Sequence, residues 1–76
     1  MTKDELYFNI QTKKNLEFKF NEKIYTLMYD KDSSGNEIIV FGRLYEGKKF
    51  SSFGDLMNNA KIDNYFFKDL LDDILL

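Results

Sequence analysis

Residues 42–48 have the spacing of a phosphate-binding loop, in which backbone N–H groups surround a phosphate and a lysine follows the second glycine. Gly42, Gly47 and Lys48 supply this pattern. The next residue is Lys49, where such loops carry the Ser or Thr hydroxyl that binds magnesium. Gly42 also lies inside a predicted strand, and no helix is predicted directly after Lys48. We therefore interpret the segment as a strand containing a glycine, followed by a turn at residues 46–47, and predict no nucleotide site.

The polar residues from position 30 onward have some of the side chains of a calcium-binding EF-hand loop. Such loops need oxygen ligands at alternate positions, a glycine at the sharp turn and a bidentate glutamate at the twelfth position. Asp30, Asp32 and Gly35 satisfy the first two requirements, but Phe41 occupies the twelfth position. The flanking residues also have strand character. We predict the polar loop of a β-hairpin, without a metal site.

Most side chains that do chemistry near neutral pH are missing from this chain, which contains no His and no Cys. Its serines therefore have no histidine to activate them as nucleophiles. Paired carboxylates occur at Asp30 and Asp32, on a predicted turn, and at Asp72 and Asp73, near an exposed helix end. An exposed carboxylate is a poor general acid at neutral pH. We predict that the protein is not an enzyme and uses no cofactor.

Three segments have the pattern of β-strands joined by short connections. Residues 16–20 alternate apolar and charged side chains, the period of a strand that buries one face. Residues 24–29 and 37–46 are rich in β-branched and aromatic residues, which favour strands, and are apolar on both faces. A turn at residues 21–23 and a polar loop at residues 30–36 separate the strands. Strands joined in this way pair antiparallel, so we predict a β-meander.

Two short helices are predicted after the sheet. Ser51 or Ser52 can cap the first helix, and apolar side chains follow at helical spacing. Asp63 is expected to cap the second helix, whose wide apolar face extends over residues 66–75. The predicted fold is α+β: a three- to four-stranded antiparallel β-meander followed by two short C-terminal helices packed on one face, in a single domain of residues 1–76.

The first segment, residues 2–12, is compatible with two secondary structures. Thr2 and Glu5 have the spacing of a capping box, which would begin a helix. Apolar residues also lie at every second position from Leu6, as in a strand. Because aromatic and β-branched residues favour strands, we predict a strand here, with the helix as the alternative.

The apolar positions of these elements define the expected core. Its predicted members come from the strands and from both C-terminal helices: Phe18, Phe20, Leu27, Val40, Leu56, Phe67, Leu70 and Leu71. A chain of 76 residues buries only about 60% of its unfolded surface, and without cysteine it has no disulfide to stabilise it. The remaining sources of burial are the aromatic residues, which make up 17% of the chain, and association with a second chain.

The overall charge gives little support to a nucleic-acid partner. The formal net charge is −2, whereas proteins that bind phosphate backbones usually carry a basic surface. No apolar segment approaches the length of a membrane-spanning helix, and Asp4 and Glu5 occur where a secretory signal would be basic. We therefore expect a cytoplasmic protein without a membrane partner. The preference for Lys over Arg is typical of AT-rich coding and favours a bacterial or phage source.

The expected functional surface lies on the exposed face of the last two predicted strands and on the loop that follows them. If the strand alternates regularly, Phe41, Arg43 and Tyr45 project to one side, and the helices cover the other. Two aromatic side chains beside the only arginine are typical of an interface hot spot, and Lys48 extends this surface. The alternative is that the N-terminal segment covers this face within the monomer, which would place these residues in the core.

A second candidate surface is acidic. Asp69, Asp72 and Asp73 lie on the polar side of the last predicted helix, near its C-terminal end, where the helix dipole disfavours negative charge. They are interpreted either as a contact surface for a basic partner or as an ordinary solvated face. Three functions then compete: a protein-binding module of the inhibitor or adaptor type, which we favour, a self-associating homodimer, and a binder of single-stranded nucleic acid that uses its lysines.

Overall fold

The computed structural model of the protein describes residues 1–74 and contains a four-stranded sheet with short helices. Its elements in chain order are α1 (Lys3–Gln11), β1 (Leu16–Phe20), β2 (Lys23–Lys31), β3 (Glu37–Arg43), β4 (Lys48–Phe50), α2 (Phe53–Asn59), β5 (Lys61–Ile62), β6 (Tyr65–Phe66), α3 (Phe67–Leu70) and a 3₁₀ turn (Leu71–Asp73). The main sheet has the order β1-β2-β3-β4, with every neighbouring pair antiparallel. The predicted α+β class and antiparallel meander are therefore confirmed. Within the described residues, no helix combines the length and apolarity needed to cross a membrane.

The N-terminal segment forms a helix, so the predicted strand is wrong. Thr2 Oγ1 accepts a hydrogen bond from the Glu5 N–H at 3.1 Å, and Glu5 Oε1 accepts one from the Thr2 N–H at 3.1 Å. This capping box satisfies N–H groups at the helix start, and the Thr2 N–H lowers the pKa of Glu5. Leu6 and Ile10, four residues apart, are the buried residues of α1. A strand would also have to bury Phe8, which is exposed on the helix.

Removing the cap is expected to weaken α1 measurably. Thr2→Ala deletes the hydroxyl that accepts the Glu5 N–H, and loss of such an N-cap costs about 0.5–2 kcal/mol. The free energy of unfolding from a urea titration should fall by that amount. Thr12→Ala is the matched control, because its hydroxyl donates to carbonyl oxygens at the other end of the helix. An unchanged free energy of unfolding in Thr2→Ala would contradict a stabilising role for the cap.

The turn between β1 and β2 sets the register of the two strands. Asn21 and Glu22 have φ of 49° and 64°, the left-handed conformation required at both positions of a two-residue type I′ hairpin turn. The resulting register places Phe18 opposite Tyr25, and the separate register of β2 with β3 places Tyr25 opposite Arg43. Side chains at paired positions share a face of the sheet. The apolar side chains of β1 therefore define an inner face that continues across β2 and β3.

Aromatic rings fill the space between the inner face and the helices. Phe41 is 2% exposed, and its ring centroid lies 4.2 Å from that of Phe67 in α3. Phe18 stacks on both rings at 6.2 and 6.1 Å, and such pairs contribute about 0.5–1.5 kcal/mol each beyond the area they bury. The predicted core is confirmed at five positions, Phe18, Leu27, Leu56, Phe67 and Leu71, and three further predicted residues are half-buried, Phe20, Val40 and Leu70.

The expected exposure of Phe41 is wrong, because the helices pack on the face of β3 that carries Ile39 and Phe41. Val40 lies on the other face and outside the core cluster. Residues 38–41 are all apolar, so alternation within β3 did not distinguish its two faces. Side chains of α1 join Phe41 in one buried cluster with those of α2 and α3. The part of this face around Phe41 is thus covered within the monomer, by α1 together with α2 and α3, whereas Arg43 and Tyr45 stay exposed.

Two connections near the C-terminus complete the fold. Ser52 caps α2 as predicted, since its Oγ accepts a hydrogen bond from a first-turn backbone N–H at 3.0 Å. The predicted cap at Asp63 is wrong: Asp63 and Asn64 form the turn of the β5–β6 hairpin, with φ of 50° and 73°. Helix α3 begins at Phe67 without a side-chain cap. Leu75, part of the predicted apolar face, lies outside the described residues.

Candidate functional site

A tight turn after β3 presents Tyr45 to solvent. The Glu46 N–H donates to the Arg43 carbonyl oxygen at 2.7 Å, which closes a four-residue turn with Tyr45 at its third position. Tyr45 has φ of 69°, a conformation that is strained for a bulky residue and is usually taken by Gly or Asn at this position. Its side chain is 95% exposed, so packing within the monomer offsets little of the strain.

Two glycines allow this turn to fold against the sheet. A Cβ on Gly42 would lie 2.9 Å from the Glu46 carbonyl oxygen, and one on Gly47 would lie 2.6 Å from Cγ1 of Val40. Both distances are too short for an unshifted side chain, so larger residues would push the turn away from β3. The glycines of the apparent phosphate-binding loop therefore permit a close approach of the backbone. Residues 42–48 are strand, turn and strand, with the turn at residues 44–45 rather than 46–47, and Lys48 begins β4.

A cleft of about 530 Å³ opens beside the turn, on the inner face of the sheet. It lies where β3 ends and β4 begins, next to the end of α2 and the β5–β6 hairpin. Its lining combines three buried aromatic side chains with three cations: Tyr25, Phe41 and Phe50, and Arg43, Lys48 and Lys61. The strand register explains this mixture, because Arg43 pairs with Tyr25 and Lys48 pairs with Phe41. The cleft has the size of many ligand sites, about 300–1,000 Å³, and places positive charge above an apolar floor.

None of the acids in the described part of the chain forms an ion pair with a cation of the cleft. Among residues 1–74, ion pairs join Lys13 to Glu37 at 2.6 Å and Lys23 to Asp63 at 3.4 Å. Asp63 borders the cleft, but its carboxylate is bound by Lys23, which is not a lining residue. Glu46 is the other acid at the cleft. The lining therefore has an excess of positive charge.

The Asn59 side chain adds a polar group to the cleft and is held in place from α2. Its Nδ2 donates to Asp55 Oδ1 at 2.7 Å. Asp55 also accepts hydrogen bonds from the N–H and the hydroxyl of Ser51, at 2.8 and 3.3 Å. The Ser51 N–H, with a smaller contribution from Asn59, lowers the pKa of the Asp55 carboxyl. Asp55 therefore stays ionised at neutral pH and orients the Asn59 amide.

The outer face of the sheet carries a separate apolar patch. Ile24 and Met28 of β2 are 41% and 44% exposed, and Val40 pairs with Met28 on the same face. Charged side chains of the neighbouring strands flank them, because Lys19 pairs with Ile24 and Lys49 pairs with Val40. We refer to Ile24, Met28 and Val40 as the outer patch. An apolar centre with a charged rim is a common arrangement in contact surfaces.

Three of the predicted binding residues meet at the cleft: Arg43 and Lys48 line it, and Phe41 lies in its floor. Tyr45 lies on the adjacent turn but outside the lining. Lys61 could not be predicted as a cleft residue, because it lies in β5, where the sequence predicts the start of a helix. The signal for that hairpin was the Asp-Asn pair that follows Ile62, since both residue types tolerate the left-handed conformation of a tight turn.

The predicted acidic residues lie elsewhere in the fold. Asp69 belongs to α3, whereas Asp72 and Asp73 belong to the 3₁₀ turn, so the three do not share one regular helix. All three are exposed, and none of them lines the cleft. A contact between these acids and a basic partner stays a prediction.

The polar loop between β2 and β3 is a hairpin connection rather than a helix-flanked calcium loop. Asp32 Oδ1 accepts hydrogen bonds from the N–H groups of Ser34 and Asn36, at 2.9 Å each. These bonds, above all the one from Asn36, lower the pKa of Asp32. The carboxylate thus stabilises the backbone of its own loop. In the part of the chain that the structure describes, no three or more Asp and Glu residues are grouped as metal ligands would be.

No protein-family model, curated protein or solved structure matches the chain. The comparisons therefore supply neither a family nor a ligand. The features that bear on function are the strained turn, the cleft and the outer patch.

Proposed function

We propose that the protein is a non-catalytic protein-binding module of the inhibitor or adaptor type. Its contact surface consists of the turn after β3 and the cleft beside it. We call this the turn–cleft surface and define it by five exposed or lining residues: Arg43, Tyr45, Lys48, Asn59 and Lys61. The sequence contains no His and no Cys, which supports a function that needs neither nucleophilic nor acid–base chemistry.

The conformation of Tyr45 is the observation that carries the proposal. A left-handed backbone costs an L-residue about 1–2 kcal/mol, and Gly at this turn position would remove that cost. The ring gains little in return within the monomer, because it is almost fully exposed. Strained residues are concentrated at functional sites, where the side chain is used. A partner that packs against the Tyr45 ring supplies the missing contact.

The residue types on this surface also favour protein binding. Arginine and tyrosine are among the residues that most often dominate the binding energy of protein interfaces. Arg43 is the only arginine of the chain and lies two residues before Tyr45. Its guanidinium offers five donors in a fixed plane, and the tyrosine ring covers a large area with few rotatable bonds. The cleft beside them can receive a side chain of the partner.

Capture of partners from a lysate of the native cells tests the proposal when two tyrosine variants are compared. Tyr45→Ser removes the ring at the position where the backbone is strained. Tyr65→Ser removes a ring that is 66% exposed on β6. Proteins that bind the turn–cleft surface should be lost with the first variant and retained with the second. Equal capture by both variants would contradict the proposal, as would the absence of any specifically captured protein.

Self-association is the second candidate function, and the outer patch favours it. A two-fold symmetric dimer would cover the same patch on both copies. Its three apolar side chains are few compared with the about 20–30 residues that each partner usually contributes to a stable interface. We therefore favour binding to a different protein over formation of a homodimer.

Light scattering at micromolar concentration separates the two candidates, and we expect a monomer of 9.1 kDa. If the outer patch is a dimer interface, the wild type will have twice this mass and Met28→Lys will restore the monomer, because a buried unpaired charge opposes association. Phe8→Lys is the matched control, since Phe8 is another exposed apolar residue but lies on α1. A dimer that is sensitive to Met28→Lys alone would favour the second candidate.

A further inference from the structure

The cleft concentrates positive charge in a chain whose formal net charge is −2. Arg43 and Lys48 come from the adjoining ends of β3 and β4, and Lys61 comes from β5. Within residues 1–74 none of the three forms an ion pair. The Lys61 Nζ lies 4.9 Å from the centre of the Phe66 ring, a contact that leaves its charge in place. Three cations around one concavity, without ion-pair partners of their own, are suited to bind an external anion.

The acids at the cleft do not cancel this charge. The Asp63 carboxylate is held by Lys23 Nζ and Asn21 Nδ2, both at 3.4 Å. Lys23 therefore neutralises Asp63 without using a cation of the cleft. Glu46 remains, and its backbone N–H is part of the turn that carries Tyr45. A single carboxylate beside three cations leaves the cleft attractive to an anionic group.

The floor of the cleft sets a second requirement for the ligand. Tyr25, Phe41 and Phe50 are buried apolar side chains beneath the cations. The Asn59 amide adds a fixed polar group, because Asp55 holds its Nδ2 at 2.7 Å. A ligand that fills the cleft should therefore combine a carboxylate with an apolar or aromatic neighbour.

We propose, on the basis of the protein-binding function above, that this cleft binds an acidic segment of the partner protein, in which an Asp or Glu carboxylate lies next to an apolar side chain. The Arg43 guanidinium binds the carboxylate through its planar pair of N–H donors. Lys48 and Lys61 add positive charge, and the apolar neighbour packs on the aromatic floor. Tyr45 contacts the same partner from the turn.

A nucleic-acid strand is a poorer occupant than an acidic peptide. Proteins that bind single strands use a groove of cations that follows the phosphate backbone over several nucleotides. Here the three cations surround one concavity, and the chain as a whole has more acids than bases. A long polyanion would be repelled outside the cleft, whereas a short acidic segment places its charge inside it.

Titration of the isotope-labelled protein with blocked tetrapeptides, followed by NMR, tests the assignment. The probe is acetyl-Asp-Phe-Asp-Glu-amide, and the control is acetyl-Asn-Phe-Asn-Gln-amide, which has nearly the same shape without the charge. We expect amide shift changes at Arg43, Lys48, Asn59 and Lys61 with the acidic peptide only. Equal changes with the neutral peptide, changes confined to other surfaces, or no change with the acidic peptide at millimolar concentration would overturn the proposal.

Lys48 and Lys49 offer a matched pair of variants for the same titration. They are adjacent in β4 but lie on opposite faces, because Lys48 pairs with Phe41 on the inner face and Lys49 pairs with Val40 on the outer face. Lys48→Gln should weaken the binding of the acidic peptide by about threefold to tenfold. Lys49→Gln should change the affinity for this peptide by less than about twofold. Equal weakening by the two variants would mean that only the overall charge matters, and the proposal would fail.

Two further experiments complete the test. Titration with other anions shows whether a different ligand occupies the cleft, and capture of natural partners by the variants separates this inference from the proposed function. Tighter binding of an oligothymidylate or of inorganic phosphate than of the acidic peptide would overturn the peptide assignment. If Lys48→Gln captures a natural partner as strongly as the wild type does, while Tyr45→Ser loses it, the cleft assignment fails and the protein-binding function stands. If neither variant alters capture, the proposed function fails whatever the peptide does.

Discussion

Phe67→Ala is expected to remove a large part of the stability of the folded domain. Phe67 is fully buried, and its ring stacks on those of Phe41 at 4.2 Å and Phe18 at 6.1 Å. Truncation of a buried Phe to Ala costs about 3–5 kcal/mol, whereas a domain of 76 residues is stabilised by only about 4–11 kcal/mol. Thermal unfolding followed by circular dichroism should show a much lower Tm or no cooperative transition.

The neighbouring Phe66 provides the matched control for this variant. Its side chain is 37% exposed, and the ammonium groups of Lys61 and Lys68 lie 4.9 and 5.5 Å from its ring centre. Exposed cation–π contacts contribute about 0.5–1 kcal/mol, so Phe66→Ala should keep a cooperative transition near the wild-type Tm. If both variants lose the same stability, the packing of α3 against the inner face of the sheet is wrong.

Tyr45→Gly is expected to strengthen the fold while it weakens partner binding. Gly adopts the φ of 69° found at this position without steric cost. Because the greater freedom of Gly in the unfolded chain offsets part of this gain, the free energy of unfolding should rise by about 0.5–1 kcal/mol. Loss of the ring should weaken binding by about 1–3 kcal/mol, or roughly fivefold to 150-fold in Kd. Urea unfolding and titration calorimetry measure the two effects separately.

Arg43→Ala tests the same surface without altering the backbone strain. Arg43 is exposed and has no ion-pair partner among residues 1–74, so the melting temperature should barely change. Partner binding should weaken by about 1–3 kcal/mol. If Tyr45→Gly and Arg43→Ala both unfold the protein, and binding declines only as folding does, these residues stabilise the fold and the proposed contact is wrong.

The sheet could be predicted from the sequence because each strand has a local signal. Residues 16–20 alternate apolar and charged side chains, and polar turn residues separate them from the β-branched and aromatic segments that follow. Short connections then force antiparallel pairing. Each of these signals lies in residues that are close in sequence, so the sheet can be predicted without tertiary information.

The buried face of β3 could not be predicted from β3, because residues 38–41 are apolar on both sides. The choice comes from β1, where Glu17 and Lys19 hold one face of the sheet in solvent. The registers of two hairpins determine which face of β3 lies on the same side as the buried face of β1. They place Phe18 and Tyr25 on the same face as Arg43. The second register depends on the conformation of the loop at residues 32–36, which composition alone does not define.

The N-terminal helix shows that a cap can outweigh strand propensity. Aromatic residues favour a strand, but Thr2 and Glu5 satisfy each other's N–H groups and start a helix. The cleft could not be predicted from short segments of the sequence, for a different reason. Arg43 and Lys61 are distant in sequence and become neighbours only when the β5–β6 hairpin packs beside the end of the sheet.

The footprint of a bound partner on the isotope-labelled protein tests the central claim most directly, namely that the chain binds another protein through the turn–cleft surface. At saturation, NMR amide signals of residues 42–50 and 59–63 should shift or broaden. Signals of Ile24 and Met28 in the outer patch should keep their positions. A footprint centred on the outer patch, or on Asp69, Asp72 and Asp73, with an unchanged turn, would contradict the claim.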